Sequence, residues 1–143
     1  MFTQANKIIV KDVMLENHKF PIVKPRTIIK ETIDQMNKFS IGIACVVTDQ
    51  MILKGVFCDG DIRRVIINNQ QSISAFFVND VIDHSIEEFK SVKETETLID
   101  AVRLMGNLKV WDLPVIDSNC KLKGLLHLHP AILYLLDSTI YLN

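Results

Sequence analysis

Apolar positions along the chain follow two rhythms, each of which occurs twice. Ile29, Ile33 and Met36 are spaced i, i+4, i+7, as are Leu98, Val102 and Met105, which places each trio on one face of a helix. Thr27 and Thr95 precede these helices and are read as their N-caps. Each helix leads into two short apolar runs separated by polar turn residues. Ile43–Thr48 and Ile52–Phe57 flank Asp49-Gln50-Met51, and Leu113–Asp117 and Lys121–His127 flank Ser118-Asn119. Both pairs predict hairpins. Short extended stretches, Ile22-Val23 and Ser91-Val92, come before the helices. Short helices are expected around Lys11-Asp12-Val13-Met14 and Asn79-Asp80-Val81-Ile82. Closing helices are expected over Asp61–Asn68 and Pro130–Leu136, with Pro130 in a first turn, where its missing N–H costs nothing.

The two series are one pattern repeated at a shift of 69. Val23 falls on Val92, Ile29 on Leu98, Ile33 on Val102 and Met36 on Met105. Leu53-Lys54-Gly55-Val56-Phe57 falls on Leu122-Lys123-Gly124-Leu125-Leu126, and Val46-Val47 on Val115-Ile116. Upstream, Asp12-Val13 matches Asp80-Val81 at a shift of 68. Two copies make a pseudo-symmetric pair, not a solenoid. The expected organisation is an arm at 1–9, a first repeat at 10–69, a connector at 70–77, a second repeat at 78–136 and a tail at 137–143. The Phe76-Phe77 pair suggests a connector that packs down. One repeat of about 65 residues would leave a sheet face uncovered. The expectation is therefore one compact α+β unit of two pseudo-symmetric repeats, each a short helix, a strand, a helix, a two-stranded hairpin and a helix.

Composition narrows the function classes. Of 143 residues, 48% are hydrophobic and 23% charged, and Lys+Arg 16 against Asp+Glu 17 leaves a net charge of −1. Such a chain is globular, and its balance of charge argues against nucleic-acid binding as the main role. The apolar run Ile41–Val47 is far short of the roughly 20 residues of a membrane span. The N-terminal residues show no signal-peptide pattern. Three widely spaced cysteines, Cys45, Cys58 and Cys120, fit a reduced, cytoplasmic setting. No Gly-x-Ser-x-Gly elbow, phosphate-cradling glycine loop or HExxH occurs, so the chain is read as a non-enzyme with no required cofactor.

Several residues nevertheless carry chemistry. Asp61 opens a helix just after a strand end; its carboxylate can cap that helix or accept from two adjacent ligand hydroxyls. Arg63 and Arg64 suit phosphate through their planar forks, or are simply solvated. Adjacent helix positions lie about 100° apart, so one of the two at most faces a given groove. His127 and His129 lie two apart at a strand end, a spacing that permits metal binding, but no third ligand is evident and no metal is expected. Their other reading from the residues alone is packing and helix capping; catalysis through the pair is the least supported. Trp111 reads as core or interface filler in preference to a base-stacking platform, and its counterpart is Gly42. In the second copy Asp61 is replaced by Pro130, and Arg63 and Arg64 by Ile132 and Leu133, so one such site per chain is expected.

Duplicated in register, the two Lys-Gly strands, Leu113-Pro114-Val115-Ile116-Asp117 and Cys58-Asp59-Gly60-Asp61-Ile62 resemble a tandem pair of cystathionine β-synthase-type (CBS) domains, a Bateman module. The resemblance spans roughly Val10 to Leu136. The run Gly55 to Arg64, together with Gly124-Leu125-Leu126-His127-Leu128-His129, is similar to the C-terminal CBS region of D-arabinose 5-phosphate isomerases. Nucleotidyltransferase-associated CBS pairs share the Asp-Gly-Asp-Ile-Arg-Arg run. In the isomerase family the chemistry belongs to a separate N-terminal domain, for which this chain has no room. The resemblance implies a regulatory, ligand-sensing module. It would bind an adenine or cytidine nucleotide, or a nucleotide sugar similar to CMP-Kdo, in the cleft between the copies. Asp61 would hold the ribose, Arg63 or Arg64 a phosphate, and the backbone of Gly42 and Ala44 the base, with His127 and His129 lining the cleft. Cys58 departs from the family's usual Ser or Thr, and a thiol is a poorer donor. The resemblance also implies a homodimer, with a ligand-free dimerisation module as the alternative.

Overall fold

In a computed structural model of the chain, residues 8–68 and 71–140 are described. Most of the expected arm, residues 69 and 70 of the repeat and connector, and the last three residues of the tail lie outside the described residues. The described chain divides into two compact units. One comprises the N-terminal residues up to Asn17 with the segment from Lys90 onward; the other is His18–Phe89.

The second unit, His18–Phe89, holds β2 (Ile22–Val23), α1 (Ile29–Phe39), β3 (Ile43–Val47), β4 (Leu53–Cys58), α2 (Asp59–Asn68) and α3 (Ile73–Phe77). Its sheet runs β2-β3-β4, parallel then antiparallel. The first unit holds β1 (Leu15–Glu16), α4 (Leu98–Leu108), β5 (Asp112–Ile116), β6 (Leu122–His127) and α5 (Leu128–Ile140), with a sheet ordered β1-β6-β5. The shift of 69 holds down to the backbone. Hairpin partners Ile43↔Cys58 and Asp112↔His127 correspond, as do the register breaks at Val46/Val47 and Val115/Ile116. Left-handed residues also correspond: Ser40 with Lys109 at the helix ends, and Met51 with Cys120 in the hairpin turns. None of the four is glycine.

The cores match position for position. Val23, Ile29, Met36, Ala44, Val46 and Phe57 fill one, and Val92, Leu98, Met105, Leu113, Val115 and Leu126 the other. The cross-strand pair Ala44–Phe57 becomes Leu113–Leu126, a small-plus-large pair exchanged for two medium side chains, so volume is nearly kept. Phe76 of α3 is buried in its unit's core, as the connector reading expected.

Two details of the sequence reading are corrected. Neither Thr27 nor Thr95 caps a long helix. The cap of α4 is Thr97, whose Oγ1 accepts from Asp100 N–H at 3.3 Å. The corresponding position before α1 is Ile28, which offers no side-chain acceptor. Thr27 instead accepts from Lys24 N–H at 3.1 Å, stabilising the preceding turn.

The register of the leading segments is 71, not 68. Val10, in the 3-10 turn Val10–Asp12, is fully buried in the unit of the second copy, where its N–H donates to Glu96 O. Val81, in the 3-10 turn Val81–His84, is fully buried in the unit of the first copy and donates to Thr27 O. The Asp-Val dipeptide match is therefore coincidental; burial aligns Val10 with Val81. Each unit thus takes its leading segment from the other copy, and sequence repeat and compact unit are not the same stretch of chain.

This exchange explains the glycine in each Lys-Gly strand. Leu15 pairs with Leu125 and Glu16 with Gly124, while Ile86 bridges Val56. A Cβ at Gly124 would lie 2.7 Å from Leu15 O and 2.8 Å from Met14 Sδ; at Gly55 the closest atom would be Ile86 O at 3.1 Å. Gly124→Ala is expected to destabilise the fold by about 1–3 kcal/mol through overpacking against backbone. Gly55→Ala should cost less. Urea unfolding of both variants checks the order, and equal midpoints for Gly124→Ala and wild type would contradict it.

Candidate functional site

Strand β4 passes into α2 without a loop, so the strand end and the first helical turn form one surface. Cys58 ends the strand, Asp59 begins the helix, and Asp59 N–H donates to Gly42 O at 3.1 Å. Asp61, two residues into α2, is buried. Its Oδ2 accepts from Cys58 N–H at 2.8 Å, so the carboxylate satisfies a backbone donor at the helix start. Its Oδ1 accepts from Arg64 Nη2 at 2.6 Å. The carboxylate side chain is 6% exposed and the guanidinium side chain 51%, so the pair is approached from the arginine side. Asp59 and Asp61 both sit where the helix dipole favours negative charge. The capping role is therefore real, and it leaves a second lone pair on each carboxylate oxygen.

The paired carboxylate makes the Arg64 proton harder to remove, by hydrogen bond first and charge second. At Cys58 burial is the main cause of a raised thiol pKa, with the charge of Asp61 adding to it and hydrogen bonds from the backbone opposing. Arg63 is exposed, with no ion pair or hydrogen bond among the described residues, as its place 100° around the helix from Arg64 requires. The carboxylate of Asp59 lies over Gly42: an added Cβ there would be 2.6 Å from Asp59 Oδ2. Ala44 is fully buried opposite Phe57 and presents its side chain to the core. Cys58, Gly42, Asp61 and Arg64 are thus gathered at one junction.

His127 and His129 belong to the other unit. His127 Nδ1 lies 2.6 Å from Asp112 Oδ1, the directly opposed residue of the hairpin. The rings of His127 and His129 meet edge to face at 5.0 Å, and Trp111 meets His129 at 5.6 Å. Trp111 is 61% exposed, so it is not core filler. Asp112 was missed by the sequence reading because the strand was started one residue late. Counting the hairpin outward from its turn would have put it opposite Leu126, because the register shifts between Val115 and Ile116. His84 ends the 3-10 turn Val81–His84, and its Nε2 lies 2.9 Å from Asn79 Oδ1. Among the described residues no group of three or more His, Cys, Asp or Glu side chains is placed to hold a metal ion. No helix among them is long and apolar enough to cross a membrane.

Comparison with known proteins places this geometry. Residues 10–68 match the CBS domain family. Arabinose 5-phosphate isomerase KdsD of Francisella tularensis is 28% identical over 127 residues, covering 86% of this chain and 36% of that protein. An uncharacterised protein of Helicobacter pylori strain J99 is 31% identical over 124 residues, with the same coverages. The chain thus spans little more than a third of the length of these relatives. Among solved structures, CBSX2 in complex with AMP is 26% identical with a TM-score of 0.80, covering 92% of this chain and 98% of that one. The CBS domain pair of protein MJ0100, in complex with 5′-methylthioadenosine and S-adenosyl-L-methionine, is 17% identical with a TM-score of 0.75, covering 92% and 97%.

The burial of Cys58 has a direct chemical consequence. Because its pKa is raised, its thiolate forms only at higher pH than that of an unhindered thiol. At pH 8 iodoacetamide should modify Cys58 more slowly than it modifies N-acetylcysteine, with the rate still climbing above pH 9. Peptide mapping by mass spectrometry measures it, and faster modification of Cys58 would contradict the burial effect.

Proposed function

We propose that the chain, whose residues 10–68 match the CBS domain family and whose fold resembles the CBS-pair protein CBSX2, is a regulatory module that senses a nucleotide through Asp61. The observation that carries this reading is the buried carboxylate at the β4–α2 junction. It is held in place by Cys58 N–H and neutralised by a half-exposed arginine. A ribose offers two adjacent hydroxyl donors, which one carboxylate can accept together. Arg64, with most of its N–H groups still available, and Arg63 are the cations for phosphate. The ligand is an adenine or cytidine nucleotide, or a nucleotide sugar similar to CMP-Kdo. The AMP complex of CBSX2 favours the adenine nucleotide, and the similarity to KdsD favours a link to sugar-phosphate isomerase control. Regulation then requires that the ligand prefer one conformation of the protein over another.

AMP, CMP and CMP-Kdo, each at about 100 times its dissociation constant, would add about 2.7 kcal/mol to stability, visible as a raised melting midpoint. Asp61→Asn keeps an acceptor for Cys58 N–H but loses the charge, and should weaken the bound nucleotide by about tenfold or more in calorimetry. Unchanged affinity would remove Asp61 from the site. Cys58→Thr restores a full hydroxyl donor and should bind the same nucleotide more tightly.

A second reading is favoured by the exposed apolar side chains of the closing helices. Ile66 and Ile67 of α2 are 59% and 72% exposed, and Leu133 and Leu136 of α5 61% and 54%. These faces suit a homodimer. An obligate dimer by light scattering whose mass and melting midpoint ignore every nucleotide would make assembly the function and set sensing aside.

A further inference from the structure

The Asp61 carboxylate is already covered when no ligand is bound. Its Oδ2 accepts from Cys58 N–H at 2.8 Å, which leaves Oδ1 as the oxygen for other donors. Arg64 Nη2 takes that oxygen at 2.6 Å, and the acid side chain beneath is only 6% exposed. The guanidinium lies where a side chain at position 60 would begin: a Cβ on Gly60 would be 3.2 Å from Arg64 Nη1 and 3.3 Å from Nη2. The absence of a side chain at Gly60 is what lets the arginine fold back by less than one helical turn onto Oδ1.

The two partners differ in how freely they can leave. The Arg64 side chain is 51% exposed and makes no other hydrogen bond or ion pair among the described residues. Asp59, the other acid of this turn, lies over Gly42 and forms no ion pair with it. A released guanidinium therefore returns to water, and a pair this open is cheap to break. Asp61 has no such exit. A carboxylate held out of water needs replacement donors at once. Two adjacent hydroxyls supply donors without charge, so they exchange an ion pair for neutral hydrogen bonds. A phosphate on the same ligand gives the displaced guanidinium a new anion and restores one charge pair.

We propose that Arg64 is an internal competitor for Asp61, an autoinhibitory contact that a ligand must break before the carboxylate can accept its hydroxyls. Arg64 shuts the site in the free protein, leaves Oδ1 as the hydroxyls arrive, and closes onto the phosphate. Every ligand bears the displacement, and only an anionic one recovers it. Gly60 is the positioning residue of the device, because it makes room for the closed guanidinium. The inference rests on the reading of Asp61 as the ribose acceptor, and adds that the same arginine opposes binding before it assists it.

Calorimetry on the intact chain with two matched pairs, AMP with adenosine and CMP with cytidine, tests it. In Arg64→Gln the nucleoside should bind about threefold tighter, the scale of a half-exposed ion pair removed from competition. The nucleotide should weaken about threefold, a roughly tenfold loss of the phosphate contact offset by that same gain. Gly60→Ala crowds the guanidinium off Oδ1 and keeps both charges, so nucleotide and nucleoside should tighten together. It carries the test by itself if Arg64→Gln does not fold. An arginine that only attracts phosphate leaves nucleoside affinity unchanged in both variants, and one that only holds the junction together weakens both ligands. Either result overturns the competitor and, with wild type still binding nucleotide through Asp61, leaves sensing in place. No binding of either nucleotide by wild type, or binding untouched by Asp61→Asn, overturns both readings.

Discussion

Val10 and Val81 each bury a side chain and donate a backbone N–H in the unit built around the other repeat. The rest of the fold depends on this reciprocal exchange. Within one repeat, β4 or β6 is left as an open sheet edge, with unpaired backbone groups and an incomplete core. The exchanged segment closes that edge through Leu15 and Glu16 in one unit and Ile86 in the other. It also supplies the buried valine beneath the helix start. Gly55 and Gly124 follow from the same constraint, because the incoming backbone passes where a side chain would be. Each unit therefore includes a segment from the other repeat.

The exchange leaves the other end of each sheet free. There a strand runs directly into a helix, and the first-turn N–H groups and the last strand residue form one polar surface. Both units build this junction on the same backbone bond, Asp59 N–H to Gly42 O and Leu128 N–H to Trp111 O, so its chemistry is set by the side chains at the strand ends and in the first helical turns. One junction uses them for a buried carboxylate and an arginine; the other uses them for a carboxylate, two imidazoles and an indole. The two junctions thus carry unlike side-chain chemistry on equivalent scaffolds.

Elements set by local pattern were legible in the sequence. The spacing of Ile29 and Met36 and its echo at Leu98 and Met105 placed two helices, the apolar runs placed four strands, and the 69-residue shift aligned the two hairpins. The candidate Asp61 was legible because it follows a strand end at a helix start. What went astray rested on single residues read without their neighbours. Thr27 and Thr95 look like caps, but the helix starts where the exchanged segment lets it start. Asp12-Val13 looks like Asp80-Val81, but burial selects a different valine. Trp111 reads as core or interface filler, and its exposure removes only the core half of that reading.

By itself the sequence determined the repeat, the element order, the family resemblance and the asymmetry between the two copies, because these depend on contacts near in the chain or on identity of residues. Only the tertiary structure decided which leading segment completes which sheet, that Asp61 is held by both Cys58 and Arg64, and that Asp112 faces His127. Those facts depend on pairings made across many residues, where burial and backbone hydrogen bonding choose among segments that look alike along the chain.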